Sequence, residues 1–235
     1  MKTIRVASYN IHKAVGTDRK RDPQRICRAL AELKADVIAL QEADQRFGAR
    51  QSVLPAAMLE EAGYEAAPFH IRPGGMGWHG NAVLVKRGHM VREARALELP
   101  TLEPRGAVLV EVEIEGRPLR VIGMHLDLSG LWRRRQVRRV IAHLDACHDA
   151  MPTVLMGDLN QWSSRGCLSE FTGHPHFRLL DTPKSFHSRR PVTRLDRIIT
   201  SHDLECAGTG TLKNAALRAG SDHLPVWADV KLHHR

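Results

Sequence analysis

The sequence has 235 residues, of which 43% are hydrophobic and 26% charged. These values are typical of globular proteins and exclude a disordered or fibrous chain, and the length favours one domain over residues 1–235. The 35 Lys and Arg residues against 26 Asp and Glu give a net charge of +9, which favours a polyanionic partner such as nucleic acid or an anionic membrane surface.

The four cysteines and the N-terminus bear on the compartment. No C-x-x-C spacing is present, so we expect reduced and mostly buried thiols. The first residues pass directly into a strand-like pattern without a signal-peptide core, and no apolar run is long enough to span a bilayer. We therefore expect a cytoplasmic location, and no obligate protein partner is evident.

The first third of the chain predicts strands that alternate with helices. Asp22-Pro23 is a typical helix N-cap and first-turn pair, and apolar residues at helical spacing follow it. Gly63 is a typical residue at a helix end. The predicted elements are a strand over 4–9, a helix from Asp22 through Leu33, a strand over 37–42 and a helix over 54–62.

The remainder predicts mainly strands. Val137, Val140, Ile141 and Leu144 share one face of a helix whose other faces carry five arginines. Strands are predicted over 82–85, 107–114, 119–124, 153–156, 195–200 and 225–230, the second and third of them joined by a turn at 115–117. This mixed order favours α/β layers with mixed or largely antiparallel sheets.

Polar residues occur where the predicted strands end. Asn10, Glu42, His125 and Asp158 each follow an apolar run. Packed sheets could therefore hold these side chains at one common rim.

Their chemistry suits hydrolysis of a phosphate ester, which needs charge neutralisation, an activated water and a stabilised leaving oxygen. Carboxylate and amide oxygens are ligands that Mg²⁺ prefers, and a His beside a carboxylate can contact a phosphoryl oxygen or exchange protons. Each fragment alone has an ordinary alternative, because Gly157-Asp158-Leu159-Asn160 is also a typical turn and Arg194 to Arg197 a typical surface ion-pair cluster.

The joint order of these fragments is more specific. Seven segments resemble, in order, the endonuclease/exonuclease/phosphatase superfamily, which includes pancreatic deoxyribonuclease, abasic-site endonucleases, neutral sphingomyelinases and inositol polyphosphate phosphatases. They are Ser8-Tyr-Asn10-Ile-His, Val37-Ile-Ala-Leu-Gln-Glu42, Gly80-Asn81-Ala-Val-Leu, Met124-His125-Leu-Asp, Gly157-Asp158-Leu-Asn160, Leu195-Asp196-Arg-Ile and Ser221-Asp222-His223. The resemblance implies a four-layered α/β/β/α sandwich, in which two packed mixed sheets are covered by helices.

It also implies a role for each matched residue. Asn10 and Glu42 would bind Mg²⁺, for which Mn²⁺ can substitute, with Asp222 nearby. Asp158 would orient or deprotonate the attacking water, and Asn160 would hold water and phosphate. His223 would contact the scissile phosphate with Asp196 fixing its tautomer, and His125 would support the phosphate or leaving group. Asn81, Arg105 and Arg194 are assigned to substrate binding, with a structural salt bridge as the alternative for Arg105.

Three functions remain open at this stage. The basic segments favour a Mg²⁺-dependent phosphodiesterase acting as a nuclease on DNA or RNA. The alternative is a hydrolase of phospholipid or of a small anionic phosphodiester or phosphomonoester. A silent binding protein is the third, although Glu42, Asp158 and His223 are all present. Trp78 and Trp132 could stack on bases or enter a lipid interface, and glycine-flanked Trp78 is expected to be the more exposed.

Overall fold

The computed structural model describes residues 3–45, 48, 51–71, 73–147, 149–163, 165–212 and 214–232, with only the backbone of 215 and 216. The strands in chain order are β1 (Ile4–Asn10), β2 (Val37–Gln41), β3 (Tyr64–Ala66), β4 (Ala82–Lys86), β5 (Met90–Leu97), β6 (Gly106–Ile114), β7 (Arg117–His125), β8 (Thr153–Asp158), β9 (Phe177–Leu179), β10 (Asp196–Ser201), β11 (Leu204–Thr211) and β12 (Val226–Leu232).

The helices are α1 (Pro23–Leu33), α2 (Ala56–Glu61), α3 (Gly130–Asp145), α4 (Leu168–Thr172) and α5 (Ala215–Arg218), and a single turn covers His12–Ala14. Asp22 caps α1 as its sequence predicts, because its side chain accepts a hydrogen bond from the backbone N–H of Arg25. Within the described part of the chain, no helix has the length and apolar character needed to cross a membrane.

The strands form two six-stranded mixed sheets. The first has the order β11-β12-β1-β2-β4-β3, and the second has the order β5-β6-β7-β8-β10-β9. Each contains one parallel pair at its centre, β1 with β2 and β7 with β8, and its other pairs are antiparallel. The expected mixed sheets are confirmed.

Three hydrophobic clusters separate four layers. The central cluster lies between the sheets and is rich in valine, for example Val6, Val83 and Val121. Alternate residues of the first sheet, such as Ile38, pack instead on α1 and α2. Those of the second sheet, such as Leu155, pack on α3 and α4. Because side chains alternate across a strand, each sheet supplies two apolar faces, and the expected α/β/β/α sandwich is confirmed.

The strands that the sequence analysis missed are β3, β5, β9 and β11. All four are the outer strands of their sheets. Their exposure reduces the apolar pattern, as in β5, whose residues are mostly half-buried or exposed. The sequence reveals the inner strands because these are buried on both faces.

The pairing registers bring the strand ends to one rim. In the first sheet Asn10 is level with Gln41, and in the second sheet Gly106 is level with His125, and His125 with Asp158. Asp196, at the start of β10, is paired with Asp158. Two sets of loops therefore lie at this edge, which we call the site rim. The first set follows β1, β2, β7 and β8, and the second precedes β4, β6, β10 and β12.

The cysteine expectation is confirmed in part. All four thiols are free. Cys27 and Cys167 are buried, whereas Cys147 and Cys206 are half-buried, so burial is less complete than expected.

Gly157 allows β7 and β8 to approach closely beside Asp158. A Cβ atom at this position would lie 1.8 Å from the carbonyl oxygen of Met124. We expect Gly157→Ala to lower the free energy of unfolding by about 3 kcal/mol, because backbone cannot move away cheaply. Thermal and urea unfolding would measure the loss.

The matched control is Gly208→Ala, since nothing lies within 4 Å of a Cβ atom there. Its unfolding free energy should change by no more than about 0.5 kcal/mol. Equal stability of the two variants would contradict the close approach at Gly157.

Candidate active site

The buried carboxylate of Asp158 is at the centre of the candidate site. Its Oδ1 accepts a hydrogen bond of 2.9 Å from the backbone N–H of Asn160. Its Oδ2 accepts one of 3.0 Å from the Nδ2 of Asn10, which belongs to the other sheet. The Nε2 atoms of His125 and His223 lie 3.4 Å and 3.7 Å from the same Oδ2. Four predicted site residues thus surround Asp158: Asn10, His125, Asn160 and His223.

His223 is held by a second carboxylate. Its Nδ1 lies 2.8 Å from Oδ2 of Asp196, which also accepts a hydrogen bond from the hydroxyl of Ser185. Burial by itself would lower the pKa of His223, but the charges of Asp196 and Asp158, with the hydrogen bond to Asp196, raise it to about 10. The ring is therefore an imidazolium at neutral pH, with Nε2 directed toward Asp158.

His125 has the opposite protonation state. Burial, helped by the nearby charges of Arg105 and His223 and opposed by that of Asp158, lowers its pKa to about 3. One neutral and one charged imidazole therefore flank a single carboxylate. Neighbouring groups whose environments separate their pKa values are typical of acid and base roles in catalysis.

Glu42 follows β2 at the first sheet's part of the rim. Burial acts to raise its pKa, but a hydrogen bond and the charge of Lys13 lower it overall, so the group is a carboxylate. The Nζ of Lys13 contacts Oε2 of Glu42. Glu42 and Asn160 have positive φ values of 55° and 49°, which are uncommon for residues other than glycine and concentrate at functional sites.

The position of Lys13 depends on an unusual backbone. His12, Lys13 and Ala14 have φ values of 44°, 56° and 58°. The backbone N–H of Lys13 donates to the carbonyl of Glu42, and the turn is closed by the N–H of Val15 donating to the carbonyl of His12. The sequence analysis gave Lys13 no role, and the only sign of one was its position three residues after Asn10.

The predicted metal ligands offer hard oxygen atoms. The Glu42 carboxylate already accommodates one positive charge, that of Lys13, and Asn10 presents Oδ1, which accepts a hydrogen bond from the N–H of His12. Asp222 is half-buried, with Oδ1 3.8 Å from Nδ1 of His12. Among the residues that the structure describes, no three His, Cys, Asp or Glu side chains converge as a metal site. Mg²⁺ does not need such a group, since it is usually held by one or two carboxylates together with waters and substrate oxygens.

A cleft opens beside these residues. Lys13, Glu42 and His125 line one part of it, and Trp78 and Arg105 line another. The Nη1 of Arg105 is buried and has no hydrogen-bond partner among the described residues. A buried guanidinium donor without a partner is costly unless an anion pairs with it, so this geometry favours substrate binding by Arg105.

The other two predicted substrate-binding residues do not line this cleft. Asn81 is buried, and its Nδ2 donates to the carbonyl of Trp78, so it supports the loop before β4. The guanidinium of Arg194 donates to the carbonyl of Thr182 and pairs with Asp181. These contacts are structural, and substrate binding by either residue remains a prediction.

Trp78 and Trp132 are both half-buried, so the expectation that Trp78 is the more exposed of the two stays a prediction. Trp78 is half-buried because its indole packs on the central core and would lie 3.2 Å from a Cβ atom at Gly106. Trp162 is exposed, and its ring lies 5.9 Å from that of Phe186, which in turn is 4.9 Å from the ring of His223. Trp162 follows Asn160 by two residues, and its proximity to that motif was the available sign.

The sequence matches the Endonuclease/Exonuclease/phosphatase family over residues 7–223. The chain therefore belongs to this family, whose members are phosphoric ester hydrolases. No curated protein matches the sequence.

Solved structures show the same fold at low sequence identity. An endonuclease/exonuclease/phosphatase family protein from Bacteroides thetaiotaomicron is 16% identical, with a TM-score of 0.78 and coverage of 100% of this chain and 99% of that one. The mannosyl-6-phosphatase of B. thetaiotaomicron VPI-5482 is 17% identical, with a TM-score of 0.77 and coverage of 97% and 100%. Danio rerio TDP2 complexed with single strand DNA product is 16% identical, with a TM-score of 0.73 and coverage of 98% and 100%.

The charge of Asp196 maintains the imidazolium of His223. We expect Asp196→Asn to lower the pKa of His223 from about 10, because it removes the main neighbouring charge that raises it. Titration of the histidine ring signals by NMR would measure the change. Asp181→Asn is the control, since this exposed carboxylate pairs with Arg194 and not with His223. An unchanged His223 titration in Asp196→Asn would contradict the pairing of His223 with Asp196.

Proposed function

We propose that the protein is a Mg²⁺-dependent phosphodiesterase that hydrolyses its substrate by attack of an activated water. The observation that carries this proposal is the position of Asp158 between a neutral and a charged histidine, at the same rim as an ionised Glu42. A base, a cationic donor and a cation-binding carboxylate are the groups that the reaction requires.

Each side chain has a role that its contacts support. Asp158 accepts the proton of the attacking water at Oδ2, where Asn10 and the two histidines hold the carboxylate. His223 donates from Nε2 to a phosphoryl oxygen, because Asp196 occupies its Nδ1. Asn160 is fixed by donating from Nδ2 to the carbonyl of Leu126, which leaves its Oδ1 to orient the water.

The remaining residues neutralise charge on the substrate. Arg105 supplies an unpartnered donor and Lys13 a second cation at the edge of the same cleft. Glu42 and Asn10 would hold Mg²⁺, with Asp222 nearby, and the bound ion supplies neutralisation of the phosphoryl oxygens and of the leaving oxygen. His125 stays neutral and packs against Asp158, so it can support the leaving group without adding charge.

Nucleic acid is the first candidate substrate. The net charge of +9 favours binding of a polyanionic backbone. The structurally similar D. rerio TDP2 has been solved in complex with a single strand DNA product. The second candidate is a phospholipid or another small anionic ester. Exposed aliphatic side chains around the site favour it, because they offer nothing to a phosphate backbone.

Removal of the base tests the mechanism. Asp158→Asn should reduce Mg²⁺-dependent turnover of a soluble diester, bis(p-nitrophenyl) phosphate, by roughly a hundredfold to ten-thousandfold, because the amide cannot accept the proton of the water. Chelation by EDTA should abolish activity and added Mg²⁺ should restore it. Asp145→Asn, at the end of α3, should retain full activity, and turnover by the Asp158→Asn variant at the normal rate would refute the assignment.

Substitution of Arg105 distinguishes a role in substrate binding from a structural salt bridge with Glu103. Arg105→Met should raise KM by roughly tenfold, because a charge-assisted hydrogen bond to the substrate is lost. Steady-state kinetics and thermal unfolding would be measured together. Arg138→Met, which removes an exposed partner of Glu170, is the charge-matched control. A lower Tm with an unchanged KM would instead favour the structural salt bridge.

A further inference from the structure

Large exposed hydrophobic side chains are concentrated at the site rim. Within the described residues, six such side chains are exposed; four of them lie on rim loops and a fifth, Leu131, lies in the first turn of α3, which follows a rim loop. We call these five the apolar rim: Leu102, Leu128, Leu131, Trp162 and Val192, which are 57–66% exposed. The sixth, Met90, begins β5 at the opposite end of the sheet.

Each member lies within six residues of a candidate-site residue in the sequence. Leu102 precedes Arg105, and Leu128 and Leu131 follow His125. Trp162 follows Asn160 by two residues, and Val192 precedes Asp196 by four. Single exposed hydrophobic residues are normal, but their concentration around a catalytic cleft marks an interaction surface.

Hydrogen bonds of Asp127 and Arg133 hold the backbone around the first three members. The carboxylate of Asp127 accepts from the backbone N–H groups of Leu102 and Ser129, which ties the two loops together. The guanidinium of Arg133 donates to the carbonyls of Asp127 and Leu128. The leucines are therefore presented outward by an ordered backbone.

Exposed cations also lie at the site rim. They lie on the loops after β1 and β8, at the start of α3 and on the loop before β10: Arg19, Lys20, Arg21, Arg165, Arg134, Arg135, Arg189 and Arg190. The exposed Asp18 among them is paired with Arg25. The surface that frames the cleft is thus both apolar and strongly positive.

The positive charge could attract either a nucleic acid or an anionic bilayer, and the aliphatic side chains distinguish between these two partners. A nucleic acid rewards cations and flat rings that stack on bases, whereas four of the five rim side chains are aliphatic. An anionic bilayer rewards both features, because leucine, valine and tryptophan enter the interface while arginines attract the headgroups.

We propose that the apolar rim docks the protein on an anionic phospholipid bilayer, so that the cleft faces the headgroup phosphodiesters. The docking is a binding property of the rim loops. That the headgroup phosphodiesters would be the substrate rests on the proposed phosphodiesterase function, with a phospholipid as the substrate.

The test is flotation of the whole protein with vesicles of phosphatidylcholine alone or mixed with phosphatidylglycerol. The protein should float with the anionic vesicles and remain behind with the neutral ones. Leu128→Ser combined with Leu131→Ser should weaken the partitioning by more than about tenfold, because both side chains lose their burial in the interface. Arg134→Gln combined with Arg135→Gln should weaken it on anionic vesicles, and raised salt should do the same.

Met90→Ser is the matched control, since Met90 is 60% exposed but lies at the other end of the molecule. It should bind vesicles as the unchanged protein does. Equal binding by Met90→Ser and the double leucine variant would overturn the proposal. So would an absence of vesicle binding together with duplex DNA binding that the leucine variant impairs, because the surface would then serve nucleic acid.

Hydrolysis of bis(p-nitrophenyl) phosphate distinguishes this proposal from the proposed function. The double leucine variant should hydrolyse this soluble diester at the normal rate, since neither residue contacts the reacting groups. An active protein that does not float contradicts the docking alone. A protein that floats but does not hydrolyse any diester contradicts the proposed function and leaves the docking in place.

Discussion

The hydrogen bond from Asn10 to Asp158 joins the two sheets at the point where chemistry is proposed. Asn10 ends β1 in the first sheet and Asp158 ends β8 in the second, and their side chains lie 3.0 Å apart. This contact requires the sheets to pack face to face with their central strands ending at the same level. The valine-rich layer between the sheets maintains that alignment, so a close-packed core sets the precision of the site.

The electrostatics of the site follow from this geometry. Asp158 is shared by two buried imidazoles, but only His223 has a second carboxylate, that of Asp196, within hydrogen-bond distance. Burial alone would make both histidines neutral, and the additional charge makes one of them a cation. Two residues of the same type therefore have different protonation states because their neighbours differ.

The site and its surroundings point to different aspects of function. The buried groups carry the proposed reaction, and the family's members are phosphoric ester hydrolases that include both nucleases and phosphatases. Under this proposal, the loops around the cleft select which phosphate ester reaches it. In this chain those loops combine arginines with exposed aliphatic side chains, a combination that net charge alone does not reveal.

The sequence by itself determined the inner strands, the first three helices and the order of the polar residues at strand ends, because burial imposes a regular apolar pattern. It did not reveal the outer strands, since their exposure reduces that pattern. Only the tertiary structure decided that Lys13 contacts Glu42, that Arg194 turns away to Thr182, and that Trp162 rather than Trp78 is exposed. Those contacts join residues far apart in the chain, and their side-chain directions depend on how the two sheets and their loops pack.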